Sequence, residues 1–264
     1  MIFLLYVVFY EKFLKQYERF SVFVWLMLAV VLIAAAGNLE NDLFDVHTDY
    51  FNGKNNFYHG ENAFLHKILP YIIYALGLGS ATIFLVLKHK TFYVWYFLAV
   101  IMLLFNYNHS VKKMPVIGNL IVSALLMLSV LNIPVFYVLH YKAQVELLFL
   151  AMLVFPVNMN RELAKDFVDR KGDSMMQYET LAVISPSKAL RLMFFHLILW
   201  FMLFILFLLN KYIAVEAKIF YSVSVAMPLF VHLIRFAGSP WYFERYVKFY
   251  KMILLLGLFG IILM

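Results

Sequence analysis

Residues 20–49 read Phe20-Ser-Val-Phe-Val-Trp25-Leu-Met-Leu-Ala-Val30-Val-Leu-Ile-Ala-Ala35-Ala-Gly37 and continue as Asn38-Leu-Glu40-Asn41-Asp42-Leu-Phe-Asp45-Val-His47-Thr-Asp49. The first part carries no charge over 18 residues, close to the ~20 that a helix needs to cross a hydrocarbon layer. The second part is polar and spaces its aspartates as D-x2-D-x3-D. An uncharged run that passes directly into an ordered row of carboxylates predicts a membrane-spanning helix with chemistry at its end.

Further apolar segments lie at 68–87, 91–107, 115–139, 143–159, 192–210, 212–235 and 248–264. With 20–37 they predict an all-α, polytopic transmembrane helical bundle of eight full spans. Met1–Tyr10 is too short to span, has neither the basic start nor the small-residue cleavage site of a signal peptide, and reads as a partial first span. Composition agrees: 65% of residues are hydrophobic, 14% are charged and mean hydropathy is +0.84, whereas a soluble domain is nearer half apolar and a quarter charged. A soluble globule, a disordered chain, a collagen and a coiled coil are thereby excluded. The absence of cysteine excludes a disulfide scaffold, a cysteine zinc site and a cysteine nucleophile. Pro115, Pro134, Pro156 and Pro228 interrupt spans in a way membrane helices tolerate. No linker divides the chain, so one domain over 1–264 is expected. It would comprise two pseudo-repeats, roughly 1–110 and 111–235, and a last helix.

The repeat is suggested by a second stretch, Glu162-Leu-Ala-Lys165-Asp166-Phe-Val-Asp169-Arg-Lys-Gly-Asp173, which has the same D-x2-D-x3-D spacing. The two stretches hold all six aspartates of the chain. At about 100° per residue, offsets of 0, 3 and 7 put three carboxylates within roughly a 60° arc of a helix. A solvated acidic surface would scatter its aspartates as it scatters Lys and Glu; these are concentrated. Four expected spans separate the motifs, and an even number returns the chain to one side of the membrane. Facing carboxylates repel unless a cation offsets them. Mg²⁺ takes oxygen ligands, commonly one or two carboxylates together with substrate phosphates. Two such stripes therefore suggest a site for Mg²⁺ and a phosphorylated lipid.

Basic residues follow the same division. Fourteen of 22 Lys and Arg fall in loops on the motif side, which places that side in the cytoplasm by the positive-inside rule. The net charge of +7 then reflects anionic lipid rather than nucleic acid. Arg161 and Lys165, inside the second motif, are suited to gripping diphosphate oxygens. Lys112 and Lys113 close another loop on that face, where plain topology anchoring is the competing reading.

At these residues the chain resembles the UbiA superfamily of intramembrane prenyltransferases. Asn41-Asp42…Asp45…Asp49 is similar to that family's first motif, and Asp166…Asp169…Asp173 to its second. Ala36-Gly37-Asn38, Lys112-Lys113-x4-Gly118-Asn119 and Thr180-Leu181-Ala182 have family-like counterparts. Arg161-Glu162-x2-Lys165-Asp166-x2-Asp169-x2-Gly172-Asp173 is similar to the branch that makes geranylgeranyl ether lipids and, more loosely, to the chlorophyll and homogentisate branches. Two features depart from the family. The first span corresponds to residues 1–10 only, and the loop from Asn52 to Gly60 carries no Arg-Pro pair, leaving Lys54 as its cation.

The resemblance implies Mg²⁺-dependent transfer of a prenyl group from a prenyl diphosphate to an acceptor, either a glyceryl phosphate or a quinone-precursor aromatic. It implies metal ligands among Asn38, Asn41, Asp42, Asp45, Asp49, Asp166, Asp169 and Asp173, with Asp42, Asp45, Asp166 and Asp169 catalytic. Lys54, Lys112, Lys113, Arg161 and Lys165 would bind diphosphate. An allylic cation needs an apolar wall with little water, and 28 Phe and 18 Tyr provide one without singling out a residue.

No general base stands out. His47 and His109 lie near the motif face, His140, His196 and His232 read as packing or polar contacts, and Glu146 and Glu216 are expected to be solvated on the opposite side. No H-E-x2-H zinc spacing or G-x-S-x-G nucleophile occurs. A CDP-alcohol phosphotransferase would need its aspartates in one continuous stretch with Gly and Ala-Arg between them, whereas these triplets start 124 residues apart. A divalent-cation transporter would place carboxylates at mid-membrane, which is expensive; these follow the apolar runs. A non-catalytic homologue is the third alternative, against which the intact aspartates stand.

Overall fold

The computed structural model describes residues 2–15, 18–58, 64–236 and 243–263. Among them the structure is helical, with no strand. Eight helical stretches are long and apolar enough to cross a membrane: Phe20–Phe51, Lys67–Leu87, Thr91–His109, Ile117–Phe136, Tyr141–Met175, Pro186–Leu209, Val215–Ile234 and Phe243–Leu263. Their outward side chains are apolar and uncovered; Leu76, Met102, Leu206 and Leu209 are each more than half exposed. Water would not tolerate so much exposed apolar surface, and lipid does. The protein is an integral, all-α membrane protein.

The helices are α1 (Ile2–Phe9), α2 (Phe20–Phe51), α3 (Phe64–Leu87), α4 (Val94–His109), α5 (Ile117–Phe136), α6 (Tyr141–Met175), α7 (Leu181–Ile184), α8 (Pro186–Leu209), α9 (Val215–Tyr221), α10 (Met227–Phe236) and α11 (Phe243–Gly260). Two differ most from the hydropathy pattern. The apolar runs predicted at 20–37 and 143–159 are the inner parts of helices of 32 and 35 residues. At 1.5 Å per residue these are about 48 and 52 Å long, against a hydrocarbon core of ~30 Å. The surplus is the polar end of each helix, and both acidic motifs lie on it.

The chain forms two compact units. The N-terminal unit comprises Ile2–Gly118 and Lys171–Glu179, the latter being the last residues of α6 and the segment after it. Here α1 and a π-helical turn (Tyr10–Leu14) pack on the start of α2 through Tyr6 against Phe23 and Tyr10 against Phe20. The C-terminal unit comprises Asn119–Arg170 and Thr180–Met264. Its core includes the stacked rings of Trp200, Phe204 and Phe207, and Tyr221, whose hydroxyl donates to the Gly257 carbonyl at 2.5 Å. The predicted span 212–235 is two helices, α9 and α10, joined by a π-helical turn at Ser222–Ala226.

Glu146 corrects an expectation. It is 2% exposed rather than solvated, because α6 already starts at Tyr141 and Glu146 shares its inward face with Ala143, Leu147 and Leu150. Lys142, one turn earlier, lies 3.6 Å from its carboxylate. Glu216 is exposed, as expected.

Candidate functional site

The first motif occupies the polar end of α2. Asp42, Asp45 and Asp49 are all half-buried, each one helical turn or so from the next. Asp45 has both carboxylate oxygens engaged. Lys112 donates to Oδ1 at 2.6 Å, and Asn41 donates from Nδ2 to Oδ2 at 2.7 Å. Lys112 also reaches the Asn41 side-chain oxygen at 3.3 Å. The side chains of Lys112 and Asp45 are only 9% and 18% exposed, so this pair is shielded from the screening that makes surface ion pairs nearly worthless.

The turn that carries Lys112 is a short 3-10 segment, Val111–Lys113, between α4 and α5. Gly118 packs tightly against it: a Cβ there would lie 3.0 Å from the Lys112 Cα, so a side chain at the start of α5 would press the turn aside. Lys113 points elsewhere. Its ammonium lies 5.0 Å from the centre of the Tyr178 ring, and its carbonyl accepts from the Glu179 amide. Burial pushes the Tyr178 phenol up, the neighbouring Thr48 side chain pulls it down, and the charges of Asp45 and Asp173 push it up again. Tyr178 therefore stays protonated across the neutral range.

The end of the second motif lies in this same unit. Asp173 is 6% exposed, and the amide of its neighbour Gly172 donates to the Asn52 side-chain oxygen at 2.7 Å. The loop after α2 folds back through Asn56, which donates to the Asp42 carbonyl at 2.8 Å and to Asp49 Oδ2 at 2.7 Å. Asn56 and Asn52 thus contact the two motifs, a role the sequence signals only by Asn enrichment in the loop that carries Lys54. Lys54 is half-buried, with its amide on the Asp49 carbonyl. Residues 59–63 of that loop lie outside the described residues.

Asn38 is exposed. Glu40, by contrast, is fully buried on the far face of α2, accepting from the Tyr74 hydroxyl at 3.0 Å and Asn108 Nδ2 at 2.8 Å. His47 is exposed, whereas His109 is held between the rings of Phe44 and Phe105 with its Nδ1 3.3 Å from the Phe105 carbonyl.

The C-terminal unit holds the rest of the second motif. Asp166 accepts from Asn119 Nδ2 at 2.9 Å; Asn119 is a further residue to which the sequence assigned no role. Asp169 and Lys165 are half-buried. Arg161 pairs with its neighbour Glu162, which is 6% exposed. His196 and His232 serve packing and polar contacts as expected: the first contacts the Leu192 carbonyl, the second the Tyr250 hydroxyl. His140 is exposed.

Among the described residues no three His, Asp or Glu side chains converge closely enough to hold a metal ion. The donor chemistry is nonetheless uniform. Around Asp42, Asp45, Asp49 and Asp173 stand carboxylate and amide oxygens with an ammonium group, a set that suits a hard divalent cation and no thiophilic metal.

The UbiA prenyltransferase family matches residues 2–255. The digeranylgeranylglyceryl phosphate synthase of Pyrococcus abyssi is 33% identical over 159 residues, covering 60% of this chain and 54% of that protein. The enzyme of the same name from Pyrococcus furiosus is 29% identical over 156 residues, covering 58% and 53%. The chain thus spans about half the length of the curated relatives it matches. Among solved structures, one described in terms of digeranylgeranylglyceryl phosphate synthase in membranes superposes with a TM-score of 0.71 at 19% identity, covering 99% of this chain and 91% of that one. A UbiA homologue from Aeropyrum pernix K1 gives 0.64 at 14% identity, covering 99% and 93%. At these identities the structural likeness carries the fold alone.

Proposed function

The chain belongs to the UbiA prenyltransferase family, and from that membership we propose that it transfers a prenyl group from a prenyl diphosphate to an acceptor, with a glyceryl phosphate hydroxyl favoured over an aromatic one. The observation that supports this reading is the buried pairing of the Lys112 ammonium with Asp45 of the first motif, in a compact unit that also holds Asp42, Asp49 and Asp173. Carboxylates alone would hold a cation; carboxylates beside ammonium groups can hold a cation and a diphosphate. The name shared by the relatives favours glyceryl phosphate as acceptor and a geranylgeranyl group as donor.

In the N-terminal unit Asp42, Asp45, Asp49 and Asp173, with Asn41, and in the C-terminal unit Asp166 and Asp169, are the residues that would hold Mg²⁺. When bound, it supplies Lewis-acid neutralisation of the diphosphate leaving group. The chain's own residues do the rest. In the N-terminal unit Lys112 and Lys113, with Lys54 on the loop after α2, and in the C-terminal unit Arg161 and Lys165, would bind and orient diphosphate oxygens. The protonated Tyr178 presents a hydroxyl donor, and the apolar helices house the isoprenoid and keep water away from the reacting carbon. We place the motif end in the cytoplasm on the distribution of Lys and Arg.

The test is incubation of the purified full chain with labelled geranylgeranyl diphosphate, Mg²⁺ and pooled acceptors. Diphosphate release with a new prenylated product by mass spectrometry is expected, and its mass names the acceptor. Absence of turnover with every acceptor, in a monodisperse sample, would turn the assignment toward a non-catalytic family member.

A further inference from the structure

We propose that Lys112 is a built-in counter-cation of the first acidic motif: it competes with a divalent cation for Asp45 and passes to the diphosphate when that cation binds, making metal and diphosphate binding cooperative. The proposal rests on the functional reading above and adds to it a regulation of the same site.

The geometry of Asp45 points to competition. Its Oδ1 accepts from the Lys112 ammonium at 2.6 Å and its Oδ2 from Asn41 at 2.7 Å, so the two oxygens a cation would use are both engaged by the chain itself. An oxygen in contact with an ammonium at that distance cannot also ligate Mg²⁺ at ~2.1 Å without holding two cations against each other. Shielding strengthens the exclusion, because Lys112 and Asp45 are largely withdrawn from solvent and salt does not screen them as it would a surface pair.

Lys112 is also built to move. Its backbone is fixed by the 3-10 turn and the close approach of Gly118, while its four-carbon stem carries a compact charge with three rotatable donors. Lys113 is not an equivalent, since its ammonium lies over the Tyr178 ring. An ammonium displaced from Asp45 keeps its charge in a largely shielded setting, and a diphosphate oxygen offers that charge a new anionic partner. By linkage, a diphosphate that draws Lys112 away from Asp45 must tighten the metal, and the metal must tighten the diphosphate by the same factor.

Mn²⁺, a paramagnetic substitute for Mg²⁺, can be titrated into the full chain in detergent by electron paramagnetic resonance, with and without inorganic diphosphate and with correction for Mn²⁺ chelated in solution. In the wild type, diphosphate is expected to tighten Mn²⁺. Lys112→Met is expected to bind Mn²⁺ alone about fivefold or more tightly and to lose most of the enhancement by diphosphate, whereas Lys112→Arg, which retains the charge, should behave like the wild type. Lys112→Gln serves as the second neutral variant if Lys112→Met does not fold. A neutral variant that binds Mn²⁺ no more tightly than the wild type, with the diphosphate enhancement intact, overturns the counter-cation role and leaves the functional reading standing. Failure of Mn²⁺ to bind wild type and variants alike, in folded protein, overturns that reading instead.

Discussion

The backbone amide of Gly172 donates to the side-chain oxygen of Asn52 at 2.7 Å, across 120 residues of sequence. This contact brings the last turn of α6 against the end of α2. A Cβ on Gly172 would stand 2.4 Å from the Thr48 carbonyl oxygen, a backbone atom that cannot swing aside. Gly172→Ala is therefore expected to destabilise the protein by about 1–3 kcal/mol through overpacking, and to weaken Mn²⁺ binding by displacing Asp173 from the first motif. Thermal unfolding in detergent checks the first part and Mn²⁺ titration the second; an unchanged midpoint would show that the two helix ends are not packed this way.

Asp42→Ala and Asp166→Ala are each expected to abolish Mg²⁺-dependent transfer while leaving a folded, membrane-integrated protein. Product mass spectrometry reads the activity, and size-exclusion chromatography in detergent reads the fold. Retained activity in both variants would remove the metal assignment from the two motifs.

Asn119→Ala tests support rather than ligation. The Asn119 amide holds Asp166 at 2.9 Å, and residues that orient a metal-binding carboxylate typically contribute 10–100-fold to affinity or activity. The expected result is a higher Mg²⁺ concentration for half-maximal rate, with a rate at saturating Mg²⁺ that recovers much of the wild-type value. Loss as complete as that of Asp166→Ala would make Asn119 a direct participant.

Hydropathy made the spans legible, and the period of the aspartates made the motifs legible, because both are local patterns. Their limits were local too. The apolar runs at 20–37 and 143–159 understate α2 and α6, since a helix does not end where its hydrophobicity does; the polar ends continue the same hydrogen-bonded ladder. Pro134 and Pro156 lie inside α5 and α6 without ending them. The partnership of Lys112 with Asp45 was not legible, because 67 residues separate them and a dibasic pair after a span equally marks topology. Asn52, Asn56 and Asn119 were assigned no role from the sequence for a related reason: an amide's role appears only with the carboxylate or amide it contacts. Glu146 misled because a place near the opposite membrane face was taken to mean exposure, whereas position on an inward helix face decided it.

Glu40 provides a control that separates buried polarity from the metal site. It lies on the face of α2 turned from the aspartate stripe and accepts from Tyr74 and Asn108, while Asn108 also donates to the Gly37 carbonyl at 3.1 Å. Glu40→Ala would orphan the Tyr74 hydroxyl, at a cost of about 1–3 kcal/mol for a buried unsatisfied group. The expectation is a lower unfolding midpoint with an unchanged Mg²⁺ requirement in the fraction that folds. A raised Mg²⁺ requirement would show that Glu40 feeds into the site.

Arg161 requires two substitutions to be interpretable. Its guanidinium pairs with Glu162, which is 6% exposed, so Arg161→Ala leaves a carboxylate unpaired inside the protein, a strongly destabilising change in its own right. Arg161→Lys keeps a cation beside Glu162 but loses the planar fork that matches phosphate oxygens. If Arg161 grips the diphosphate, Arg161→Lys raises the KM for prenyl diphosphate more than the KM for the acceptor while the unfolding midpoint stays near that of the wild type, and Arg161→Ala raises it further with a lowered midpoint. If its role is only to neutralise Glu162, Arg161→Lys leaves both KM values unchanged and Arg161→Ala changes stability alone. A larger effect on the acceptor would move Arg161 out of the diphosphate site altogether.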